Sequence, residues 1–394
     1  MRILHVATAW PREPDDPITP WLVHLCERLA DHGHEVEVLV SAWRGRTRFE
    51  DGHPRIRVHR FRYAPSRWER LTHEETVPDR LDRAPAWTLL VPGYLVAETA
   101  AAWRVGRERR FDAVHVHWAV PHGLAGIVAA RASDSTLVTT FYGAEIRFAE
   151  TRFPPALAFL RWYCRRSALV AISENTRRTL SAHTDRPIEV IPYGVPLPTE
   201  ERKPIDTEVP VVLFVGRLVA RKGVDRLLEA MAGLEDREWR LEVVGFGPER
   251  ESLESHAARL GIASRVEFGG KVSGEELIDA YRRADLFVLP ATVDARSDTE
   301  GLGVVLLEAM AHGTPVVATR RGGILDVVVD GETGVLVEDE VGALRGGIAM
   351  LLDDAELARS MGEMGRRRVL ESFGWDRIVG RLEALYEGSQ GEPR

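Results

Sequence analysis

Residues 286–318 read LFVLPATVDARSDTEGLGVVLLEAMAHGTPVVA, and this stretch decides the fold. A short apolar run, Leu286 to Leu289, leads through a glycine-bearing turn into an apolar helical run, and a second strand follows at Pro315 to Ala318. This order is typical of a parallel sheet with crossover helices. Open sheets of this kind bind ligands beyond the carboxyl ends of their strands. The turn therefore predicts a ligand site.

Two glutamates bracket this turn and suggest a nucleotide-sugar site. Gly301 and Gly303 allow close backbone approach, so amides at the helix N-terminus can face an anion. Glu308, deeper in the helix, offers two acceptor oxygens to the paired hydroxyls of a ribose, and Glu300 lies where a reacting sugar would sit. The alternative is a solvated Glu300 and a surface Glu308. The helix is apolar nearly all round, which favours burial and hence a partner for Glu308.

Similar alternation of strands and helices runs along the whole chain, in two series. The first has strand-like runs at Ile3 to Ala7, Glu35 to Val40, Ala113 to His117, Thr136 to Phe141, Leu169 to Ile172 and Ile188 to Ile191. The second has them at Val211 to Val215, Leu241 to Val244, Val266 to Phe268, Leu286 to Leu289 and Pro315 to Ala318.

A chain of 394 residues exceeds the size of one hydrophobic core. We expect an α/β protein with two doubly wound, Rossmann-like domains that share a site in the cleft between them. The first domain is placed at residues 1–198 and the second at 199–372, with a proline-bearing linker from Leu197 to Pro210. A helix in residues 373–394 is expected to pack back on the first domain.

The composition is that of an ordinary enzyme, with 44% hydrophobic and 28% charged residues and a net charge of −8. It gives no sign of nucleic-acid binding. Cys26 and Cys164 lie in apolar helical patterns and predict buried thiols in a reducing compartment. The run Met1 to Ala7 reads as a strand rather than a signal peptide, and Trp87 to Trp103 falls short of a membrane span. A cytoplasmic location is the expectation.

A cationic turn, GRLVARKG, follows the first strand of the second domain at residues 216–223. Arg217 supplies a planar fork to phosphate oxygens and Lys222 a compact point charge, so the turn suits a diphosphate. The alternative is a pair of solvated loop charges. A Walker loop is excluded because its spacing of glycine, lysine and serine or threonine is absent.

The segment VGFGP at residues 244–248 carries two glycines after a strand but lacks the third glycine of a dinucleotide fingerprint. Close approach of Gly245 to a nucleotide base or ribose explains these residues about as well as a tight strand-to-helix turn does.

In the first domain, His115 and His117 end a strand and point to the same face. A neutral His117 imidazole could hydrogen-bond a sugar hydroxyl, but a structural role is about equally favoured. The next strand leads to Tyr142, Gly143 and Glu145, which suit a wall for a sugar or acceptor or form a simple turn.

Two further patterns concern metals and surfaces. No Asp-x-Asp pair follows a strand, so the site is predicted to be metal-independent. Residues 55–83 mix arginines with aromatic side chains, which can meet anionic lipid headgroups or a phosphate-bearing acceptor. Interleaved acidic residues favour an ordinary solvated surface there.

Together these segments resemble glycosyltransferase family 4, a retaining family with the two-domain GT-B fold. The resemblance covers nearly the whole chain and rests on EGLGVVLLEAMAHGTPVVAT, VGRLVARKGVD, ISENT, VIPYGV and DGETGVLV. It implies that Arg217 and Lys222 hold the donor diphosphate, Glu308 the ribose, and Glu300 with the amides of Leu302 and Gly303 the transferred sugar. It also implies that His117 lies on the acceptor side near the reacting carbon, and that the base lies near Val272.

The chain departs from the family pattern in its first loop, Ala9 to Ile18, at Pro196, and at Tyr142-Gly143-Ala144-Glu145, where many members have His-Gly-x-Asp. The Tyr142-Gly143 version of this motif and the arginine-rich region around Tyr63 resemble members that build surface or exported polysaccharides.

The resulting hypothesis is a cytoplasmic glycosyltransferase, with a nucleoside diphosphate sugar as co-substrate and no other cofactor. It transfers the sugar, with retention, to a glycan, lipid-linked or small-molecule hydroxyl acceptor, and peripheral contact with the inner face of a membrane is a further expectation. Two alternatives are a nucleotide-sugar epimerase of the same architecture and a catalytically silent nucleotide-sugar-binding partner.

Overall fold

A computed structural model describes residues 1–13, 16, 18–45, 53–73, 77–198, 209–272, 274–293 and 300–388. The chain divides into two compact units, one of residues 1–194 together with the C-terminal helix and the other of residues 195–374. The sequence analysis placed these divisions after residues 198 and 372. Most of the expected linker, residues 199–208, lies outside the described residues.

The first unit is built on a seven-stranded parallel sheet with the order β3-β2-β1-β4-β5-β6-β7. The strands are β1 (Arg2–Val6), β2 (Glu35–Ser41), β3 (Ile56–Phe61), β4 (Ala113–His117), β5 (Thr136–Phe141), β6 (Ala168–Ala171) and β7 (Ile188–Val190). The helices are α1 (Pro20–Asp31), α2 (Val77–Arg83), α3 (Val91–Glu108), α4 (Ala119–Ser133), α5 (Ala144–Thr151), α6 (Pro155–Cys164) and α7 (Glu174–Ser181).

The second unit is built on a six-stranded parallel sheet with the order β10-β9-β8-β11-β12-β13. The strands are β8 (Val211–Val215), β9 (Arg240–Val244), β10 (Val266–Gly270), β11 (Leu286–Leu289), β12 (Val316–Thr319) and β13 (Val335–Val337). The helices are α8 (Val224–Ala232), α9 (Arg250–Arg259), α10 (Gly274–Arg283), α11 (Val304–Ala311), α12 (Ile324–Val327), α13 (Val341–Asp353) and α14 (Ala355–Ser372).

These sheets confirm the expected fold class of two doubly wound, Rossmann-like domains. The strand order reverses direction between β1 and β4 in the first unit and between β8 and β11 in the second. Such switch points open a crevice at the carboxyl ends of the strands, where ligands of doubly wound folds bind. His117 ends β4, while Arg217 and Lys222 follow β8 and Glu300 follows β11.

Strand alternation assigns each residue of the first sheet to one of two cores. Leu4 and Val6 pack with residues of α3, α4 and α6, whereas Ile3 and Ala7 pack with α1 and the C-terminal helix α15 (Trp375–Gly388). His5 shares the orientation of Ile3 and pairs in register with His115 on β4. The histidines of β1 and β4 therefore face α1 and α15.

Helix α15 completes the first unit. Its buried face packs into the same core as Ile3, and Gly194 lies against the Trp375 ring, where a Cβ at residue 194 would come within 2.4 Å of Trp375 Cδ2. The buried residues of this helix are Trp375, Ile378, Val379, Leu382 and Tyr386.

Two edge strands escaped the sequence analysis, β3 and β13. In β3 only the end residues Ile56 and Phe61 are buried, because an edge strand with charged side chains lacks a continuous apolar signature. β13 has only three residues.

Other expectations from the sequence concern thiols and membrane spans. Cys26 and Cys164 are both buried free thiols, as predicted. Among the helices of the described residues, none combines the length and apolar character that crossing a bilayer requires.

Candidate functional site

The cationic turn of the second unit is held against the chain that follows β11. Lys222 ends a short 3-10 turn, Ala220–Lys222, and Gly223 after it adopts a φ of +65°. A Cβ at Gly223 would lie 2.0 Å from the Pro290 carbonyl oxygen, so only glycine fits this approach. The Thr292 amide donates to the Arg221 carbonyl at 2.9 Å. These contacts bring the turn beside Glu300.

Lys222 and Glu300 form a nearly buried ion pair. The Lys222 Nζ atom lies 2.5 Å from Glu300 Oε2, and their side chains are 10% and 13% exposed. An Arg221 guanidinium nitrogen lies 3.5 Å from the same oxygen. Burial alone would raise the pKa of Glu300, but the charges of Lys222 and Arg221 and a hydrogen bond from the Gly303 amide lower it overall. Glu300 is therefore ionised at neutral pH.

Arg217 differs from Lys222 in its surroundings. Its side chain is exposed, and it makes no hydrogen bond or ion pair with any residue that the structure describes. The guanidinium is thus available to an anionic ligand at the carboxyl end of β8.

The turn before α11 is shaped by close backbone contacts. Gly303 has a φ of +82° at the start of the helix, and the Gly323 amide donates to the Glu300 carbonyl at 3.0 Å. A Cβ at Gly323 would come within 2.0 Å of the Gly301 carbonyl oxygen. Leu302 is buried beneath the turn. Packing therefore fixes the backbone that presents Glu300.

Glu308 has the partner that its position in α11 requires. The Tyr281 hydroxyl donates to Glu308 Oε2 at 2.7 Å, and the Tyr281 ring stacks on His312 with centroids 5.6 Å apart. Burial, and then the Glu308 charge, raise the pKa of Tyr281 well above its usual range, so this phenol remains a donor. The half-buried Glu308 carboxylate is oriented rather than free in solvent.

Gly245 has a packing explanation of its own. It adopts a φ of +146°, and a Cβ there would lie 1.8 Å from the Gly216 carbonyl oxygen. The carboxyl ends of β8 and β9 thus approach too closely for any side chain. Val272 lies half-buried just beyond β10.

In the first unit, His117 is embedded in a chain of polar contacts. Its Nε2 atom lies 2.9 Å from His5 Nδ1, and its Nδ1 atom lies 2.7 Å from the Tyr142 hydroxyl. His117 is 1% exposed. Burial, and then the neighbouring histidines, lower its pKa well below the usual range, so the ring is neutral. The expected open contact with a sugar hydroxyl is replaced by protein partners at both nitrogens.

His115 stacks on His117 at 4.4 Å between centroids, as the shared face predicted. Its nitrogens contact the Tyr386 hydroxyl at 2.7 Å and Thr140 Oγ1 at 2.8 Å. Among the described residues, His5, His115 and His117 have ligand atoms within 4.8 Å of one another. Five of the six ring nitrogens already contact another side chain.

Tyr142 lies in an aromatic cluster that lines a recess at the switch point of the first unit. Its ring centroid is 4.5 Å from Trp118, 5.2 Å from Trp21 and 5.7 Å from Tyr193. Aromatic faces beside hydroxyl groups suit a sugar or other polyol.

Glu145 is a buried carboxyl group in the first turn of α5. One oxygen accepts from the Tyr142 amide at 3.0 Å, and the other is buried without a hydrogen-bond partner among the described residues. Burial raises the pKa of Glu145 to about 7, although backbone hydrogen bonds act in the opposite sense. Gly143, at a φ of +95°, makes the turn that allows this cap.

Four residues of these sites were missed by the sequence analysis: His5, Arg221, Tyr281 and Thr140. His5 shares the face of His115 because of strand register, and Arg221 adjoins Lys222, so both carried a signal. Tyr281 and Thr140 depend on contacts between distant segments.

Comparison with known proteins gives the same assignment over both units. A profile described as "Glycosyltransferase Family 4" matches residues 20–198, and one described as "Glycosyl transferases group 1" matches residues 198–368. A GDP-mannose-dependent alpha-(1-6)-phosphatidylinositol monomannoside mannosyltransferase of Mycolicibacterium smegmatis is 34% identical, over 78% of this chain and 84% of the relative. A D-inositol 3-phosphate glycosyltransferase of Xylanimonas cellulosilytica is 32% identical, over 75% and 77%.

Solved structures show the same fold. Sucrose-phosphate synthase from Thermosynechococcus elongatus superposes with a TM-score of 0.77 at 23% identity, covering 99% of both chains. Anabaena HepE, solved in complex with UDP and glucose, gives a TM-score of 0.71 at 20% identity, covering 98% of this chain and 100% of HepE.

Arg217→Ala and Lys222→Ala should each reduce turnover about 100-fold, the usual effect of removing one preorganised donor to a developing negative charge. Steady-state kinetics of the purified variants measures this. Arg259→Ala, an exposed change on α9, is the control for charge loss alone. Near-normal turnover in a folded Arg217→Ala protein would refute the diphosphate role of that side chain.

Glu145 should make stability depend on pH. Its pKa is about 7 in the folded protein and about 4.5 when unfolded. The folded state therefore holds a proton that the unfolded chain releases, and the free energy of unfolding falls by about 3 kcal/mol as the pH rises across this window. Urea denaturation of wild type and Glu145→Gln at pH 5, 6, 7 and 8 should show the variant gaining stability relative to wild type. Parallel pH curves would contradict the shift.

Proposed function

Since this chain belongs to glycosyltransferase family 4 and has the GT-B fold, we propose that it transfers mannose from GDP-mannose to a hydroxyl group of an inositol-containing glycolipid. The observation that carries the site assignment is the Lys222–Glu300 pair at the switch point of the second sheet, close in sequence to Arg217, whose side chain has no partner among the described residues. Mannose and the inositol lipid come from the names of the relatives, which include several mannosyltransferases.

In this proposal the second unit binds the donor. Arg217 and Lys222 hold the diphosphate and offset the charge that develops on the departing nucleotide. Glu300, with the amides of Leu302 and Gly303, holds the mannose. The support for this arrangement is the ionised Glu300 carboxylate, which is fixed by Lys222, Arg221 and the turn before α11.

The remaining donor contacts follow the same edge of the sheet. Glu308, oriented by Tyr281, accepts from the two ribose hydroxyls, and the base lies near Val272 after β10. Gly245 lets the backbone at the end of β9 pass close to the nucleotide. No other cofactor takes part, and the transfer is metal-independent, since the cationic side chains supply the charge that a metal would.

The first unit binds the acceptor at the mouth of the recess lined by Trp21, Tyr142 and Tyr193, because the enclosed volume of about 30 Å³ is too small for a ring. Aromatic faces pack on the apolar face of an inositol or sugar ring, while the Tyr142 hydroxyl meets one of the hydroxyl oxygens of that ring. Gly143 and Glu145 hold the Tyr142 backbone in place. The transfer proceeds with retention of the anomeric configuration.

Contact with a membrane surface follows from the lipid acceptor. Trp68 and Trp103 are 46% and 50% exposed, and Arg67 and Arg107 lie over their rings at 4.8 and 5.0 Å. Indole rings with adjacent cations suit the headgroup region of an anionic bilayer. We place the enzyme at the cytoplasmic face of the membrane.

The proposal is tested by incubating the purified protein with GDP-mannose, UDP-glucose or UDP-N-acetylglucosamine and a phosphatidylinositol mannoside acceptor in vesicles. We expect a mannosylated lipid from GDP-mannose alone, an α-anomeric product by NMR, and unchanged turnover in EDTA. Anionic vesicles should give a higher rate than neutral ones. Conversion of GDP-mannose into a diastereomer without acceptor would favour the epimerase, whereas a transferase would at most hydrolyse the donor slowly. A lack of any melting shift with all nucleotide sugars would contradict the proposal.

Glu308→Ala should weaken GDP binding about 10- to 100-fold, the effect of losing hydrogen bonds to a charged acceptor. Binding of 2′,3′-dideoxy-GDP, which lacks the ribose hydroxyls, should be equal for wild type and variant. Isothermal titration calorimetry provides both numbers. Equal losses for the two nucleotides would show that Glu308 acts on something other than the ribose.

A further inference from the structure

His5, His117 and Tyr142 form a chain of hydrogen bonds behind the acceptor recess. The number of protons on the two imidazoles limits which group in this chain donates to which. His5 Nδ1 lies 2.9 Å from His117 Nε2, and His117 Nδ1 lies 2.7 Å from the Tyr142 hydroxyl. His5 and His117 are both buried and both have strongly lowered pKa values, because burial disfavours their charged forms. Each neutral imidazole carries one proton on one of two nitrogens.

Two arrangements satisfy the contact between the histidines. In the first, His5 Nδ1 donates to His117 Nε2, and His117 then donates from Nδ1 to the Tyr142 oxygen. In the second, His117 Nε2 donates to His5 Nδ1, and His5 carries its own proton on Nε2. The Tyr142 hydroxyl then donates to the bare Nδ1 atom of His117. The two arrangements give Tyr142 opposite roles toward a ligand, donor in the first and acceptor in the second.

The far nitrogen of His5 decides between them. His5 Nε2 is fully buried and has no hydrogen-bond partner among the residues that the structure describes. The second arrangement places an N–H group there, and among buried backbone groups orphaned N–H donors are rarer than under-satisfied carbonyl acceptors. The first arrangement leaves only a bare acceptor at that position. The surroundings of His5 therefore favour the first arrangement, in which His5 donates to His117 and His117 donates to Tyr142.

We propose that His5 is a positioning residue that fixes the proton order of His117 and so turns Tyr142 into a hydrogen-bond donor toward an oxygen of the acceptor polyol. The inference rests on the proposed function for the identity of the ligand, but the proton order itself is a property of the free protein. Tyr142 orients the acceptor in this scheme and does not take its proton. Burial raises the pKa of Tyr142 well above the ordinary value, which suits a phenol that keeps its proton.

The proton order is measured directly by NMR of protein labelled with 15N-histidine, since protonated and bare ring nitrogens differ widely in chemical shift. Signals of His117 are assigned by their absence in His117→Gln. We expect His117 to carry its proton on Nδ1 in wild type and to populate both neutral tautomers in His5→Leu, which removes the donor that fixes one of them. Thr140→Val, which disturbs His115 and leaves the His5 contact in place, should keep the wild-type pattern. An Nε2 proton on His117 in wild type overturns the proposal.

Kinetics tests the consequence for the acceptor. Tyr142→Phe should raise the KM for the acceptor about 5- to 20-fold, as expected for one lost hydrogen bond, and His5→Leu should raise it by a smaller factor because both His117 tautomers then coexist. The KM for the donor should change little in either variant. Because His5 acts through Tyr142, the double variant should be no worse than Tyr142→Phe. His5→Asn, whose amide can donate from near the Nδ1 position, should recover most of the loss.

Additive losses in the double variant, or a His5→Asn protein as impaired as His5→Leu, would show that His5 only fills space. Should the wild type fail to transfer any sugar, the NMR result still decides the proton order. Failure of the transfer assay would therefore contradict the proposed reaction, whereas an unexpected NMR result would contradict the proposed proton order of His5 and His117.

Discussion

The second unit depends on a close backbone approach, the contact of Gly223 with the Pro290 carbonyl. This contact leaves no room for a Cβ, and it presses the turn after β8 against the chain after β11. Lys222 is brought within 2.5 Å of Glu300 as a result. A largely buried ion pair adds little net stability, because the desolvation of both charges offsets their attraction. Its presence at a switch point is therefore better explained by ligand binding than by folding.

Most of the fold could be predicted from the sequence, and the structure brings together some of the residues proposed for each site, such as Lys222 with Glu300 and His117 with Tyr142. Most central strands are largely apolar runs, so their positions could be recognised in the sequence. β3 is an edge strand with charged side chains and β13 has only three residues, so neither gave such a pattern. Glu300, Glu308 and Lys222 were recognisable because each lies at a fixed distance from a strand or glycine. The residues that contact them could not be recognised in the same way.

Those partners come from elements far away in the sequence. Tyr281 lies 27 residues before Glu308, and His5 lies 112 residues before His117. No local pattern marks a hydroxyl or an imidazole for such a contact. The His5 contact follows from strand register, which depends on the sheet order as a whole. The Tyr281 contact joins a residue of α10 to a residue of α11. Gly245 shows a different difficulty. Its sequence motif resembled a ligand-binding turn, but the close packing of Gly245 against Gly216 explains the glycine without a ligand.

The two units use burial in opposite ways. In the second, cationic side chains keep the buried Glu300 ionised, which suits a ligand that carries the charges of a diphosphate. In the first, burial keeps His5, His115 and His117 neutral and raises the pKa of Glu145. A set of neutral donors and acceptors recognises an uncharged polyol by the direction of its hydrogen bonds, and that direction has meaning only if the protons are fixed. A charged imidazole would donate from both nitrogens, so the hydrogen bonds from His5 through His117 to Tyr142 would no longer run in one direction. In the proposed scheme, the strong desolvation at the switch point of the first sheet gives the acceptor recess its hydrogen-bond polarity, and the buried Nε2 atom of His5 sets the direction of that polarity.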